Sequence, residues 1–586
     1  MANSIYTVPR SKRIQTEVAV IGSGAAGLRA AIALHEQGIQ PLVLGKRPRA
    51  DAHTVLAAGG INAALGTMDP ADSWVTHAAD TLHEGHMLSD PEVVEILCRE
   101  APQAIDDLLT YGVPFARGND GRLLQRYFGA HCYRRTCFVG DYTGRAMIKA
   151  LVAEIDRRNI TILENMYVTD ILLTNGRVSG VLAFKLVDGT ALAIETGSVV
   201  LAAGGHIHIY RRSSSRRREN TGDGIALALR VGAQIADMEL VQFHPTGMVW
   251  PEEAEGTLVT EAVRGEGGRL YNAKGERYMA NYDAERMELS TRDRVALANY
   301  NEILEGRGTS HGGVWLDISH IPATTIQDRL PKMIQQFQTY GGVDITRDPM
   351  EVAPTAHYSM GGVRVEPDTH STGVPGLYAA GETTAGVHGA NRLGGNSLVE
   401  CMVFGRRAGE AAADYVASHA TTAIDTDQLS TCLAHGQQLA RTNRDTALSL
   451  IDNLQQTMWQ HAGMVRDEAG LSQALRTIHA MREQQAVVPQ KGAPHMANLS
   501  AALDLKSMLL SAEATVLSAL LRTESRGAHQ RRDYPQTAPD WQQTVVAALH
   551  NDEVVLSTVD IPQPAPEIVQ ALEEYAQLAV AGRLLE

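Results

Sequence analysis

The first part of the chain alternates short apolar runs with one helical pattern. Residues 17–21 form a β-prone apolar run, glycines from Gly22 to Gly27 interrupt it, and residues 28–35 have a helical spacing of apolar positions. A second apolar run follows at residues 41–44. This order predicts a β-α-β unit with a glycine-rich turn between its first strand and its helix.

The middle and the C-terminal half of the chain follow other patterns. Residues 161–200 are strand-like and predict a β-rich insertion, while apolar runs that end in glycine at residues 201–205 and 376–382 are predicted to join one sheet. Residues 429–485 and 498–522 have long helical patterns, which predict a helical bundle.

Composition and charge narrow the class of protein. The chain has 586 residues, 44% of them hydrophobic, so it can bury the cores of several domains. Its formal net charge of −15 argues against nucleic acid as the main partner, because phosphate binding needs a basic surface. The five cysteines form no C-x-x-C pair, so we expect neither a disulfide framework nor a zinc, iron-sulfur or other metal site.

The start of the chain bears on localisation. Residues 1–15 contain basic residues but no apolar core of a signal peptide, so they are predicted to be a short extension. No run reaches the roughly 18 consecutive apolar residues that a membrane-spanning helix needs. We therefore expect a cytoplasmic protein that reaches the cytoplasmic membrane face only through partner subunits.

The glycine-rich turn has the pattern G-x-G-x-x-G. It consists of Gly22, Ser23, Gly24, Ala25, Ala26 and Gly27. Between a strand and a helix, such a turn lets backbone N–H groups approach a pyrophosphate; a glycine turn without a nucleotide is the alternative. The second strand is followed by Gly45 and Lys46 instead of the acidic residue that would bind a ribose of NAD, which disfavours NAD.

Further motifs follow in a fixed order along the chain. They occupy residues 52–64, 221–224, 242–247, 260–268, 290–293, 357–362, 381–382, 388–398 and 524–529. In this order they resemble the superfamily of succinate dehydrogenase, fumarate reductase and aspartate oxidase flavoproteins over nearly the whole chain.

The resemblance implies FAD as the cofactor. Its motifs map FAD contacts onto the glycine-rich turn and onto Lys46, His53, Thr54, Gly59, Gly60, Asp223, Glu382, Ser397 and Leu398. His53 falls on the family position that carries FAD covalently through the isoalloxazine methyl group. Ala58 stands where the family usually has glutamine, so one flavin contact differs.

The resemblance and the apolar patterns together predict an α/β fold. A Rossmann-type FAD-binding domain covers residues 1–245 and 350–410, and an α+β capping domain at residues 246–349 interrupts it. A helical bundle domain at residues 411–534 and a small C-terminal segment at residues 535–586 follow.

The resemblance also implies a C4 dicarboxylate as the substrate. A small dicarboxylate needs hydrogen-bond donors at both ends in a fixed geometry, and arginine and histidine supply them. Motif by motif, Arg392 and His357 map onto one carboxylate, while His244 and Thr260 map onto the other, with Phe128 beside them. The substrate then faces the flavin for hydride exchange.

The resemblance further implies that an arginine transfers the proton. Arg292 matches the family's proton-transfer arginine, and Glu261 and Arg264 match the rest of its proton relay. This role is unusual, because a free guanidinium has a pKa above about 12. The alternative, that these residues form ordinary surface ion pairs, fits any one of them but not the whole set of motifs.

Within the superfamily, the residues favour succinate dehydrogenase or fumarate reductase. Aspartate oxidases bind FAD without a covalent histidine, and they carry a glutamate where this chain has Phe128. Aspartate oxidase is the first alternative, and a flavin subunit that only transfers electrons is the second. The resemblance further implies a partner, an iron-sulfur subunit, and through it a membrane anchor.

A run of arginines lies outside these motifs. Arg211, Arg212, Arg216, Arg217 and Arg218 replace a stretch that is less charged in the family. We expect a solvated loop here; docking of an acidic surface or of lipid headgroups is the alternative.

Overall fold

The computed structural model of the chain describes residues 13–441, 443–487 and 496–580. Over these residues the strands are β1 (Arg13–Gln15), β2 (Val18–Ile21), β3 (Leu42–Gly45), β4 (Ile61–Asn62), β5 (Gln125–Arg126), β6 (Thr136–Cys137), β7 (Thr161–Glu164), β8 (Met166–Thr174), β9 (Arg177–Lys185), β10 (Ala191–Glu195), β11 (Ser198–Leu201), β12 (Ile235–Ala236), β13 (Val241–Met248), β14 (Arg269–Tyr271), β15 (Val314–Asp317), β16 (Met350–Ser359), β17 (Gly362–Val363), β18 (Leu377–Ala379), β19 (Val465–Arg466), β20 (Gln530–Arg531), β21 (Gln543–His550) and β22 (Glu553–Asp560). The α-helices are α1 (Ala25–Glu36), α2 (Trp74–Glu84), α3 (Pro91–Thr110), α4 (Thr143–Arg157), α5 (Asp223–Arg230), α6 (Ala262–Gly265), α7 (Arg292–Glu302), α8 (Ala323–Arg329), α9 (Pro331–Gly341), α10 (Asn396–Ser418), α11 (Thr426–Leu439), α12 (Arg444–His461), α13 (Glu468–Val487), α14 (Met496–Leu521) and α15 (Pro566–Val580). Of the predicted N-terminal extension, residues 1–12 lie outside the described residues, and the last three residues form β1.

A parallel five-stranded sheet carries the glycine-rich turn. Its order is β18-β11-β2-β3-β7, and Ile21 of β2 lies beside Leu201 of β11, which in turn pairs with Ala379 of β18. Every residue of β2 is buried, as expected of a central parallel strand. The predicted β-α-β unit is confirmed. Two distant segments also join one sheet as predicted, but the first strand, β11, shares only Leu201 with the predicted run at residues 201–205.

Close backbone contacts fix the glycine-rich turn and the helix that follows it. Gly22 has a φ of +118°, and a Cβ atom at this position would lie 2.0 Å from the carbonyl oxygen of Ala202. α1 packs on α10, where Cβ atoms added at Gly405 and Gly409 would lie 2.6 Å from backbone oxygens of α1. Side chains at these glycines would therefore push the turn and the two helices apart.

A second sheet, of order β13-β16-β15-β14, is antiparallel throughout. Its apolar residues share a core with those of α6 to α9, for example Leu316 of β15 with Phe337 of α9. β13 crosses the capping-domain boundary predicted at residue 246, and β16 begins just beyond residue 349. The sheet is thus shared between the predicted domains, and their boundaries stay a prediction.

The β-rich insertion and the helices predicted after residue 429 are both present. β8, β9 and β10 form a sheet with β1, and α11 to α14 follow in the C-terminal half. Leu454, Ile478 and Leu505, on α12, α13 and α14, share a core with Phe243 of β13. Trp459 of α12 also lies against Phe243, with ring centres 6.1 Å apart, so the helical part of the chain adjoins the strand that carries His244.

The C-terminal segment is not a separate unit. β21 and β22 form an antiparallel hairpin, and β21 extends a sheet to β12 and β17, with Ala547 paired to Ile235. Over the described residues the chain has the mixed α/β content that was predicted. None of the described helices is both long enough and apolar enough to cross a membrane.

Candidate active site

One cavity of about 940 Å³ brings together almost all of the predicted site residues. Its lining includes the predicted cofactor residues Gly22, Ser23, Gly24, Ala25, Ala26, Lys46, His53, Thr54, Gly59, Gly60, Asp223, Glu382, Ser397 and Leu398. The lining also includes the predicted substrate residues Phe128, His244, Thr260, His357 and Arg392 and the predicted catalytic residues Glu261 and Arg292. Gly27 and Arg264 are not part of this lining.

The first turn of α1 forms one end of the cavity. Gly24 precedes the helix without a side-chain cap, and the backbone N–H of Ala25 donates to Thr54 Oγ1 at 3.3 Å. The N–H groups and the positive end of the helix dipole at such a terminus attract phosphate. A Cβ atom at Gly27 would lie 2.0 Å from the carbonyl oxygen of Gly22, so this glycine allows the close packing of the helix on the turn.

Lys46 ties the cofactor end of the cavity to the helical part of the chain. Its Nζ lies 2.8 Å from Asp223 Oδ2 and 2.8 Å from Asp504 Oδ1, and the single hydroxyl proton of Tyr167 is shared between the two carboxylates, whose oxygens lie 2.9 and 3.0 Å away. Burial lowers the pKa of Lys46, but the two carboxylates raise it to about 12. Lys46 is therefore a fixed positive charge just after β3.

His53 opens a 3₁₀ turn over His53–Leu56 on the cavity wall. Its Nδ1 lies 3.3 Å from Glu219 Oε2. Farther along the chain, the Phe128 ring packs against Gly59, where a Cβ atom would lie 2.8 Å from Phe128 Cζ. A wall of glycine backbone beside an aromatic ring suits a flat ring system.

Two of the predicted cofactor-binding residues, Glu382 and Ser397, accept hydrogen bonds from other groups of the protein. Glu382 Oε1 accepts a hydrogen bond from the backbone N–H of Ser359 at 3.1 Å, and burial raises the pKa of Glu382 to about 7. Ser397 Oγ accepts a hydrogen bond from Arg392 Nη1 at 3.2 Å. Ser397 therefore lies where the predicted cofactor residues meet the predicted substrate residues.

His244 and His357 come together because β13 and β16 are irregularly paired. The register of the two strands shifts between Gln242 and Phe243, which leaves His357 as an extra residue on β16. The centres of the two imidazole rings lie 5.2 Å apart. Ser214 Oγ lies 3.0 Å from His357 Nδ1 and fixes the second ring.

Both imidazoles are neutral. His244 Nδ1 lies 3.2 Å from both the backbone nitrogen and the backbone oxygen of Thr246, and these contacts fix the orientation of the ring. Burial holds the pKa of His244 and of His357 well below the usual range. The Thr246 hydroxyl also donates to the backbone oxygen of Val259 at 2.8 Å, which brings the adjacent Thr260 to the same wall.

Arg292 and Arg392 converge on one side chain. Arg292 Nη1 lies 3.3 Å and Arg392 Nη2 lies 3.0 Å from Gln242 Oε1, so the two guanidinium groups share one acceptor. The Arg392 guanidinium carbon also lies 4.6 Å from the centre of the Tyr358 ring. Burial, and after it the charge of Arg292, lowers the pKa of Arg392 to about 10. Two positive charges held this close favour an anion beside them.

Glu261 holds Arg292 through a second contact. Arg292 Nε and Nη2 lie 2.7 and 2.6 Å from Glu261 Oε2, and Arg264 Nη2 lies 3.8 Å from Glu261 Oε1. Burial raises the pKa of Glu261, but the two arginines bring it down to about 2. The cavity thus places the guanidinium groups of Arg292 and Arg392 close to each other with Glu261 as the carboxylate that pairs with Arg292, and this arrangement favours an anionic substrate.

The arginine-rich segment also borders the cavity. Arg211 pairs with Glu255 at 3.1 Å, and Arg216 pairs with Asp51 at 2.6 Å and with Glu219 at 2.7 Å. These arginines are therefore paired with acidic residues of the same chain, while Arg211, with a side chain 39% exposed, still reaches solvent as expected of a solvated loop.

Comparison with known proteins is consistent with this site. The family model described as FAD binding domain matches residues 17–398, and the one described as fumarate reductase flavoprotein C-term matches residues 451–569. The chain is 44% identical over 546 residues to a subunit of the fumarate reductase (CoM/CoB) of Methanothermobacter marburgensis, covering 92% of this chain and 97% of that protein. The chain belongs to the succinate dehydrogenase and fumarate reductase flavoprotein family.

Other members of this flavoprotein family agree over the same length. The succinate dehydrogenase flavoprotein subunit of Rickettsia bellii is 36% identical over 558 residues, which cover 91% of this chain and 93% of that one. A solved structure, Mycobacterium smegmatis Sdh1 in complex with UQ1, has a TM-score of 0.87 at 39% identity and covers 97% of this chain and 98% of its own.

FAD is the cofactor of this flavoprotein, and the cavity fits it. The uncapped N-terminus of α1 suits a pyrophosphate, while the wall formed by Gly59 and Phe128 suits a flat ring system. The volume of about 940 Å³ lies within the range of roughly 300–1,000 Å³ that is typical of cofactor sites.

Sequence reasoning did not identify several residues of the flavoprotein site. Gln242 carried a usable signal, because it stands two positions before His244 and alternate residues of a strand share a face. Ser214, Glu219 and Asp504 reach the site from segments without a recognised motif, and Asp504 is 458 positions away from Lys46. Only the folded chain brings Ser214 and Glu219 to the cavity and brings Asp504 into contact with Lys46.

Proposed function

We propose that this flavoprotein interconverts succinate and fumarate. The observation that carries the proposal is the convergence of Arg292 and Arg392 on Gln242, next to the neutral pair His244 and His357. A dianion with a carboxylate at each end needs donors for both ends, and the guanidinium and imidazole groups of this cluster supply them.

In the proposed assignment, Arg392 and His357 bind one carboxylate, while His244 and Thr260 bind the other. His244, Thr260 and Arg392 are buried, so their hydrogen bonds to a charged substrate form away from bulk water and are strengthened. Phe128, which packs against Gly59, is proposed to add an apolar contact with the substrate. FAD, when bound, accepts a hydride from succinate or returns one to fumarate.

Arg292 is proposed to move the proton. Glu261 and Gln242 fix its guanidinium group through separate contacts, so that it can be aimed at the reacting carbon. Glu261, whose pKa is about 2, is ionised at rest, keeps Arg292 next to the buried Arg264, and holds a relayed proton only transiently. A proton can then pass along Arg264, Glu261 and Arg292, and the guanidinium charge stabilises the carbanion-like transition state.

The finer parts of the proposal concern the cofactor and the domains. FAD is proposed to be attached covalently through His53, which lines the cavity together with Gly59 and Gly60. Residues 246–349 are proposed to cap the FAD-binding residues 1–245 and 350–410.

The proposed electron partner is an iron-sulfur subunit with a membrane anchor on the cytoplasmic membrane face. Such a partner passes electrons between the flavin and a quinone. The solved relative from Mycobacterium smegmatis is a complex with UQ1, which supports a quinone as the distal carrier.

Turnover of the FAD-loaded chain with artificial carriers tests the proposal. Fumarate should oxidise reduced methyl viologen, and succinate should reduce a phenazine dye. Arg392→Gln should raise the KM for fumarate about 30-fold or more. The loss of the buried charged contact between the arginine and the substrate carboxylate costs about 2 kcal/mol or more. The exposed Arg476→Gln is the matched control and should leave KM unchanged. Dye reduction by L-aspartate but not by succinate would make the chain an aspartate oxidase.

A further inference from the structure

A ring of ion pairs fixes the segment around His53. Arg47 lies 2.7 Å from Asp51 and 3.1 Å from Glu219, and Arg216 lies 2.6 Å from Asp51 and 2.7 Å from Glu219. Two acids thus share the same two arginines. The ring joins the residues just before His53 to the arginine-rich segment, and His53 Nδ1 lies 3.3 Å from Glu219 Oε2.

Glu219 is the most buried member of this ring. Its side chain is 7% exposed, against 40% for Asp51 and 26% for the neighbouring His53. Burial raises the pKa of Glu219, but the hydrogen bonds from His53 and Arg216 bring it below the usual range, so the carboxylate is ionised. An ionised carboxylate only accepts hydrogen bonds.

The contact with Glu219 therefore decides which nitrogen of His53 carries a proton. Nδ1 must donate, so in the neutral ring the lone pair lies on Nε2, and Nε2 is the nucleophilic atom. His53 is a residue of the cavity wall, where the flavin is proposed to bind.

We propose that Glu219 is a positioning residue that prepares His53 for covalent attachment of FAD at Nε2. This inference rests on the covalent link included in the proposed function. The new bond joins Nε2 to the methyl carbon of the ring system. One hydrogen leaves that carbon and one leaves the imidazole, and the two electrons and two protons pass to fumarate, which becomes succinate, or to dioxygen. The imidazole gains positive charge as the bond forms, and the Glu219 carboxylate stabilises that charge at Nδ1.

The arginines of the ring keep Glu219 in place for this role. Arg216 Nε lies 2.9 Å from Glu219 Oε2, and Arg216 Nη2 lies 2.7 Å from Oε1, so both carboxylate oxygens are held. Without the charge of Glu219, Arg47 and Arg216 each keep Asp51 as an ionic partner. A positioning role thus predicts slow attachment of flavin in a folded protein, whereas a purely structural role predicts a less stable protein with normal attachment.

The rate of covalent attachment separates these two roles. FAD and fumarate are added to the flavin-free full-length chain, and samples are denatured at successive times. The fraction of chain with covalently attached flavin is measured by in-gel flavin fluorescence and by the increase in protein mass. The variants are Glu219→Gln, His53→Ala and Glu255→Gln. His53→Ala lacks the proposed attachment site and gives the background signal, and Glu255→Gln is the matched control. Glu255 is suitable because it pairs with Arg211 and Arg212 in the same segment, whereas the carboxylate at His53 Nδ1 is that of Glu219.

We expect Glu219→Gln to attach flavin at least about tenfold more slowly than the wild type, with unchanged noncovalent FAD binding and melting temperature. Glu255→Gln should attach flavin at the wild-type rate. A wild-type rate in Glu219→Gln, an equal loss in Glu255→Gln, or failure of Glu219→Gln to fold or to hold FAD would each overturn the inference. A wild-type chain that reduces fumarate but never attaches flavin would overturn it as well, while the proposed reaction would stand.

Discussion

Arg292 and Arg392 donate to the same oxygen, Gln242 Oε1, at distances of 3.3 and 3.0 Å. Gln242 Nε2 in turn donates to Asn391 Oδ1 at 2.8 Å. Because arginine has donors but no acceptor, these contacts fix the orientation of the Gln242 amide. Gln242 thus sets the spacing between the arginine proposed to transfer the proton and the arginine proposed to bind a carboxylate.

Replacing Gln242 by leucine should disturb that spacing. Without their shared acceptor the two guanidinium groups repel each other, and we expect KM for fumarate to rise about tenfold, which corresponds to about 1.4 kcal/mol for a hydrogen bond to a charged group. Initial rates over a range of fumarate concentrations measure the effect. The exposed Gln473→Leu on α13 is the control, and an equal KM in Gln242→Leu and wild type would contradict the prediction.

Replacing Arg292 by lysine should separate catalysis from binding. Lysine keeps a positive charge but loses the planar contact with Glu261, so kcat should fall by about 10²–10⁴-fold while the dissociation constant of fumarate changes less than about tenfold. Turnover gives kcat, and perturbation of the flavin spectrum gives the dissociation constant. Arg294→Lys, two positions along, is exposed and should behave like the wild type. A similar kcat in both variants would remove Arg292 from proton transfer.

The sequence predicts the parts of the fold that local patterns encode. β2 and β11 were predicted because a buried parallel strand is a continuous apolar run, and α1 because its glycine-rich start and apolar spacing agree. The C-terminal hairpin β21-β22 is different. Its sheet partners β12 and β17 are two residues long each, too short to leave a periodic signal.

The residues of the candidate site also fall into two groups, those that local motifs predict and those that depend on distant contacts. His244, Arg292 and Arg392 were predicted because they stand in motifs, and the structure brings all of them to one cavity. Glu219 and Asp504 were not predicted. The sequence around an acidic residue in a polar segment or on a helix does not show which distant basic residue it pairs with in the folded chain. Long-range ion pairs of this kind depend on the packing of the whole chain.

Replacing Asp504 by alanine should destabilise the chain. Lys46 would keep Asp223 but lose one of its two anionic partners, and the Tyr167 hydroxyl would lose an acceptor. We expect the free energy of unfolding to fall by about 1–3 kcal/mol, and the melting temperature to fall with it. The exposed Glu483→Gln on α13 should melt like the wild type, and an Asp504→Ala variant that also melts like the wild type would contradict the assignment.

Asp237 should make stability depend on pH. Burial, and after it the nearby Glu239, raises the pKa of Asp237 to about 7 from an ordinary value of 3.8, against the lowering effect of Arg522. The folded chain therefore holds a proton between these pH values that the unfolded chain has lost, so this contribution to stability is present at low pH and disappears as pH rises through about 7.

Melting temperatures of wild type and Asp237→Asn at several pH values measure this contribution. The stability of the wild type relative to the variant should fall as pH rises from about 5 to about 8, with a slope of at most about 1.4 kcal/mol per pH unit. A difference in melting temperature that stays constant over this range would show that Asp237 is ionised throughout.

The most direct test of the central claim is the anaerobic absorbance of the bound flavin after succinate or L-aspartate is added separately to the FAD-loaded chain. The proposed dicarboxylate site predicts that succinate bleaches the flavin, that fumarate restores its absorbance, and that L-aspartate does neither. Bleaching by L-aspartate without bleaching by succinate would contradict the proposed function.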